Sequence, residues 1–231
     1  MSASADRPGV EAGFSLECDA ILFDLDGVLV DSTTRVAETW DRWARKHQLD
    51  PARVIAAAHG RRTIETVQLV APHLAATEEV ATLEASEATN VEGVFEVPGA
   101  REILESLPPN SWAIVTSGIR AVATLRIRHT RLPMPKVLVC AEDIQHGKPD
   151  PEGYLTATER LGVDPTRCVV IEDTPPGLEA ARTGGMRSIG VCGTYAADAL
   201  SMADHTIPRL KALRISRAKN GRLLHILVAT T

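Results

Sequence analysis

Short apolar runs alternate with longer segments of helical period along most of the chain. AILF (20–23), WAIVTS (112–117), KVLVC (136–140), CVVIE (168–172) and MRSIGVC (186–192) are brief and rich in Val and Ile. They lack the alternating polar positions of a half-exposed strand, so they predict strands covered on both faces, as in a parallel sheet. Between them, 100–107, 119–129, 151–161 and 176–183 carry helical spacing. Asp150-Pro151 supplies a helix start, with Asp as N-cap and Pro in the first turn. The alternation predicts an α/β doubly wound fold with a Rossmann-like parallel sheet.

Residues 33–94 break that alternation and carry helical patterns only. Val36, Trp40, Trp43 and His47 recur on one helical face, which places both tryptophans in a core of this segment. Asp50-Pro51 starts a second helix, RTIETVQLV (62–70) forms a third, and Thr77-Glu78-Glu79 opens a fourth with an N-cap and an acidic first turn. The pattern predicts an α-helical cap at 33–96 inserted into a core made of 18–32 and 97–231. Asp31 and Ser32 are expected to cap the first insert helix and to act as a hinge. EVPGA (96–100) marks the return. Residues 1–17 read as a flexible leader without an apolar signal core. At the other end, two apolar runs around Lys219-Asn220-Gly221 predict a β-hairpin.

Composition narrows the picture. The chain is 44% hydrophobic but only 3% aromatic, so its core must be built from Ala, Val, Leu and Ile. A net charge of −5 gives no reason to expect nucleic acid or an acidic membrane as partner. The longest apolar runs are too short to cross a bilayer. Cys18, Cys140, Cys168 and Cys192 form no CxxC pair and are expected as buried, reduced thiols. A cytoplasmic monomer or weak homodimer fits these features.

The candidate chemistry lies at the predicted strand ends, where open α/β sheets bind ligands. Asp24 and Asp26 follow the first strand, two residues apart. Thr116-Ser117-Gly118 follow the second, Lys148 lies in GKPDP (147–151), and Glu172-Asp173 follow VVI. So many carboxylates at one edge require a cation, and hard oxygen ligands favour Mg²⁺. Thr116, Ser117 and Gly118 offer a hydroxyl and N–H groups for a phosphate at a helix N-terminus. A carboxylate nucleophile beside Mg²⁺, an ammonium and a phosphate cradle specifies phosphoryl transfer through an aspartyl-phosphate.

DLDGVLVDS (24–32), VTSG (115–118), GKPDP and IEDTPPG (171–177), in that order, resemble the four motifs of the haloacid dehalogenase superfamily. The helical insert resembles its C1-type cap. HGRRT (59–63), EVPGA and GKPDPEGYL further resemble the sugar- and polyol-phosphate phosphatases of that superfamily, 2-deoxyglucose-6-phosphate and glycerol-phosphate phosphatases among them. The resemblance implies that Asp24 is the nucleophile. It implies that Asp26 is the general acid and base, with its backbone carbonyl on Mg²⁺. Asp173 would ligate Mg²⁺, with Glu172 behind it or joined through water. Thr116 and Lys148 would hold the phosphate, and Lys148 would also steady Asp24. Ser117, Gly118, His59, Gly60 and Arg62 are expected at the substrate, Arg62 at the arginine of the family's HGxRT pattern and Arg61 at its variable position. The implied activity is Mg²⁺-dependent hydrolysis of a small phosphorylated sugar or polyol. The rivals are a phosphomutase on the same core and a catalytically silent binding module.

Overall fold

The computed structural model describes residues 14–217 and 224–228. The chain enters through β1 (Ser15–Cys18) and β2 (Ala20–Phe23), turns back at β3 (Val30–Asp31), and runs into α1 (Thr33–Lys46), α2 (Pro51–Ala58), α3 (Thr63–Val70) and α4 (Ala76–Glu87). It returns through β4 (Phe95–Glu96), which pairs antiparallel with β3. The alternating part follows as α5 (Ala100–Ser106), β5 (Trp112–Val115), α6 (Arg120–His129), β6 (Leu138–Val139), α7 (Glu152–Leu161), β7 (Cys168–Glu172), α8 (Pro175–Thr183), β8 (Arg187–Val191) and β9 (His205–Ile207). The last described strands are β10 (Leu213–Arg217) and β11 (Leu224–Val228).

Among the described residues the main sheet has the order β6-β5-β2-β7-β8-β9, and every pairing in it is parallel. Strand β2 lies in the middle, with β5 on one side and β7 on the other. The chain leaves β2 in one direction and returns on the opposite side, which opens a crevice at the carboxyl ends of these three strands. Both faces of the sheet are covered. Ile21, Phe23, Ile114, Val169 and Ile171 point into one apolar layer, and Ala20, Leu22, Val115, Cys168 and Val170 into the other. That is why these strands read as unbroken apolar runs.

The segment between β3 and β4 builds its own core from Trp40, Trp43, Ala44, Val54, Ala58, Val67, Ala71 and Leu83. The two indoles meet edge to face at 5.5 Å, an arrangement favoured by the ring quadrupoles. The Trp43 Nε1–H donates to Glu79 at 2.8 Å, so the buried polar tip of the ring is satisfied. Asp50 caps α2 by accepting from the Ala52 N–H at 3.0 Å.

Several local expectations are corrected. Ser15–Cys18 is a strand paired antiparallel with β11, so the end of the leader is ordered; residues 1–13 lie outside the described part. Thr77 is not an N-cap, because α4 begins at Ala76 and Ala75 precedes it without a side-chain bond. Ser32 does stand at the start of α1, but its side chain gives the helix no cap. Asp150 accepts from the Glu152 N–H at 2.9 Å, one residue from the expected register. The C-terminal strands β10 and β11 do pair antiparallel; the turn at Lys219-Asn220-Gly221 lies outside the described residues. Cys18, Cys140 and Cys168 are buried free thiols, pushed up to about 12 chiefly by burial, whereas Cys192 is half-buried. Among the described residues no helix is long and apolar enough to cross a membrane.

Candidate active site

Three parallel strand ends deliver the central groups. The Asp24 N–H still donates to Ile171 on β7 at 3.0 Å, so this residue is held by the sheet itself. Thr116 is tied in the same way to Val139 on β6 at 2.9 Å. Asp173 follows β7 directly. After Asp26 the chain doubles back at Gly27, whose φ of +90° suits glycine alone. A Cβ there would stand 1.9 Å from Asp173 Oδ2, so this glycine also makes room for the carboxylate.

The charges beneath this edge are almost wholly buried. Lys148 Nζ donates to Asp24 Oδ1, and to Glu172 Oε1 at 2.6 Å. Burial opposes the Lys148 charge, but the carboxylates of Asp24 and Glu172 outweigh it and hold the ammonium well above its ordinary value. Glu172 is 0% exposed and saturated. Its Oε1 also accepts from the Tyr154 hydroxyl at 3.1 Å. Its Oε2 accepts from the Asp173 N–H and the Thr174 N–H and hydroxyl at 2.8, 2.8 and 2.9 Å. Glu172 is therefore a structural anion that locks Lys148 and shapes the Asp173 turn. It is not a direct metal ligand, because no lone pair remains directed at a cation.

The cap side differs from expectation. Asp26 Oδ1 accepts from the Ser32 hydroxyl at 2.6 Å and from Arg126 Nη1 at 2.7 Å. Ser32 thus joins the hinge to the acid–base candidate, which explains its missing cap. Arg126 is 4% exposed, and its Nη2 reaches Glu87 at the end of α4 at 3.4 Å. Sequence reasoning missed both residues. The available signal was that Arg126 falls between Ala123 and Ile127 on the buried face of α6, an unusual place for a cation. Thr194, whose hydroxyl donates to Asp173 Oδ2, was missed as well.

A cleft between core and cap collects Asp24, Asp26, Thr116, Asp173, Arg126 and Glu87 on its walls. His59, Gly60, Ser117 and Gly118 also border it. Burial lowers the His59 imidazole, and its Nε2 has no partner among the described residues. Ser117 spends its hydroxyl on the Gly60 carbonyl at 2.8 Å, tying core to cap instead of pointing it at a ligand. The Thr116 hydroxyl accepts from the Gly118 N–H at 3.1 Å. Neither is a side-chain cap of α6, which starts at Arg120 after Ile119. Arg62, expected at the substrate, does not border the cleft and is engaged elsewhere. Its guanidinium donates to the Ile144 carbonyl at 3.0 Å, to the Gln145 carbonyl at 2.5 Å and to Glu65 at 2.6 Å. Glu65 in turn accepts from the Gly147 N–H at 2.7 Å. Arg62 therefore fastens the cap to the loop that carries Lys148, and of these two neighbours it is Arg61 that borders the cleft.

The donor set suits a hard divalent cation. Asp173 Oδ1 is buried without a hydrogen-bond partner among the described residues, beside the cleft that Asp24 faces. Among the described residues no three acidic, histidine or cysteine side chains form a ready cage. Mg²⁺ does not need one, since it takes one or two carboxylates and completes its shell with water and phosphate oxygens. Of the four carboxylates, Asp24 and Asp173 keep oxygens at the cleft without a hydrogen bond among the described residues, whereas Glu172 is saturated and Asp26 Oδ1 is engaged by Ser32 and Arg126. The Asp26 ligand expected for Mg²⁺ is its backbone carbonyl, which these bonds leave untouched.

Without a cation this edge is under electrostatic stress. Burial, opposed by Lys148, pushes Asp24 from 3.8 up to about 7. Burial, then the charges of Glu172 and Asp24, hold Asp173 well above its ordinary value. A carboxyl raised in the folded state binds protons there that the unfolded chain has released, so its stabilising contribution is complete below the unfolded pKa and lost on going up to the folded one. In chelating buffer, Tm should therefore fall as pH rises from about 4 to about 7. The fall should be shallower for Asp24→Asn or with added Mg²⁺. A Tm slope equal in the native and Asp24→Asn proteins would contradict this account.

Residues 18–185 match the model of the haloacid dehalogenase-like hydrolases. The chain belongs to that family. This haloacid dehalogenase-like hydrolase is 36% identical over 214 residues to hexitol phosphatase A of Escherichia coli, covering 90% of its own length and 99% of the relative's. It is 36% identical over 198 residues to glycerol-1-phosphate phosphohydrolase 2 of Saccharomyces cerevisiae, covering 80% and 79%. A solved hydrolase from Pseudomonas syringae superposes with a TM-score of 0.71 at 27% identity, over 83% of this chain and 94% of that one.

Proposed function

We propose that this hydrolase removes phosphate from small phosphorylated sugars or polyols, with Mg²⁺ bound and through a phosphorylated Asp24. The observation that carries the reading is the buried Asp24 carboxylate, one oxygen held by Lys148 and the other without a hydrogen bond among the described residues, on the wall of the cleft. The relatives named above act on phosphorylated hexitols and glycerol, which sets the substrate class.

Asp24 attacks phosphorus and the ester oxygen departs with a proton from Asp26. Ser32 and Arg126 grip Asp26 by Oδ1, which leaves Oδ2 for that proton. Asp26 then takes a proton from water, the water attacks phosphorus, and free phosphate and the Asp24 carboxylate are regenerated. Lys148 neutralises Asp24 from beneath, and Asp173 and Asp24 would hold the metal. Bound Mg²⁺ would supply positive charge at the phosphate oxygens. The Gly60 and Ser117 contact and the Arg62 anchor hold the cap over the cleft, which excludes bulk water.

The test is phosphate release from hexitol, glycerol and 2-deoxyglucose phosphates, with and without Mg²⁺. Turnover should fall about a hundredfold or more in chelator. Isomerisation of a sugar phosphate without net phosphate release would instead establish a mutase, and metal binding without either reaction a silent module.

A further inference from the structure

The cleft holds a carboxylate, Glu87, that the chemistry at phosphorus does not use. Glu87 ends the last cap helix, and its carboxylate borders the same cleft as Asp24 while meeting only Arg126 among the described residues, at a long 3.4 Å. Burial, partly offset by Arg126, raises its pKa, and the side chain keeps 18% of its surface exposed where it borders the cleft. Arg126 is short of a partner as well, for its Nε is buried without one among the described residues. The order along the wall is specific. Asp26, which meets the ester oxygen in the reading above, bonds Arg126, and Arg126 bonds Glu87. An alcohol leaving from Asp26 would therefore extend toward a guanidinium and then a carboxylate. The cap also lines the cleft with the apolar side chains of Val36, Trp40 and Ala58, beside the polar His59 and Arg61.

We propose that Glu87, held by Arg126, is a specificity-determining residue that accepts hydrogen bonds from substrate hydroxyls on carbons beyond the phosphoester, and so selects polyol over alkyl phosphates. The inference rests on the phosphatase reading. A carboxylate with open lone pairs accepts from two neighbouring hydroxyls, the guanidinium donates to their oxygens, and the Trp40 side covers the C–H face. A phosphate ester without hydroxyls would leave the open lone pairs of Glu87 without a donor, which is the penalty that discriminates best.

The test compares the native enzyme with E87M on glycerol 1-phosphate or a hexitol phosphate, whichever is turned over faster, and on the alkyl phosphate of the same chain length. The native enzyme should favour the polyol ester. In E87M the ratio of the two kcat/KM values should fall about tenfold or more, mainly through loss on the polyol ester. E87Q, which keeps the shape without the charge, serves if E87M does not fold. Equal losses on both esters would show that Glu87 only positions Arg126 and Asp26, and unchanged kcat/KM on both would show no role; either overturns the proposal. A native protein that hydrolyses no phosphoester would remove the parent reading, a result distinct from these.

Discussion

Asp24→Asn should lower kcat by at least about 10⁴-fold while leaving the protein folded. The substitution is nearly isosteric, and the amide oxygen can still accept from Lys148. What it removes is the anionic oxygen that attacks phosphorus, and no neighbour replaces it. Glu172 is saturated, Asp173 turns one oxygen to Thr194, and Asp26 is gripped by Ser32 and Arg126. Removing a negative charge from a buried, like-charged edge relieves repulsion, so the melting temperature of the metal-free variant should equal or exceed that of the native protein at neutral pH. The check is single-turnover phosphate release together with mass spectrometry for a phosphorylated chain. Near-native Mg²⁺-dependent turnover in the variant would refute the assignment.

Lys148→Met should have the opposite signature, with both stability and activity falling. The ammonium is the sole cation bonded to Asp24 and Glu172 among the described residues, and all three groups are buried. Breaking a buried pair strands its partner charge, at a cost of about 3–5 kcal/mol. Two partners are stranded here, and protonation gives part of that energy back. Because Lys148 lowers the Asp24 pKa, its loss moves that carboxyl above the present value of about 7. The sign follows for Asp24: folding is weakened most at pH 8, where that carboxyl is driven to ionise without its partner, and least near pH 5, where it stays protonated. The acid limb of the rate profile should move to higher pH, since Asp24 must be ionised to attack. Urea melts at the two pH values, with a pH–rate profile, measure both effects. Stability loss independent of pH would indicate that Lys148 acts through packing alone.

The family motifs and the outlines of the core were legible because their signals are local. A strand buried on both faces must be apolar at every position, so AILF and CVVIE announce a parallel sheet without any partner in view. The residue after each strand is then placed by the backbone: Asp24 and Thr116 reach the crevice through main-chain bonds, whereas the turn at Asp173 is fixed by the Glu172 side chain, which accepts from its N–H. Similarly, the cap helices follow from the spacing of Val36, Trp40 and Trp43. Strand β9 was not anticipated, since a three-residue element with His205 and Thr206 has too little pattern to detect.

What tertiary structure alone decided is which way long side chains turn. Arg61 and Arg62 are adjacent and chemically identical, yet Arg62 spends its donors on Ile144 and Gln145, about eighty residues away, while Arg61 borders the cleft. Glu172 and Asp173 are likewise adjacent carboxylates, one saturated by Lys148, Tyr154 and Thr174 and the other left with an open buried oxygen. The link from Asp26 through Arg126 to Glu87 joins three elements distant in the chain. Local patterns set the backbone, and the backbone sets where chemistry can occur. Partners for charged side chains depend on distances between elements, which periodicity does not encode.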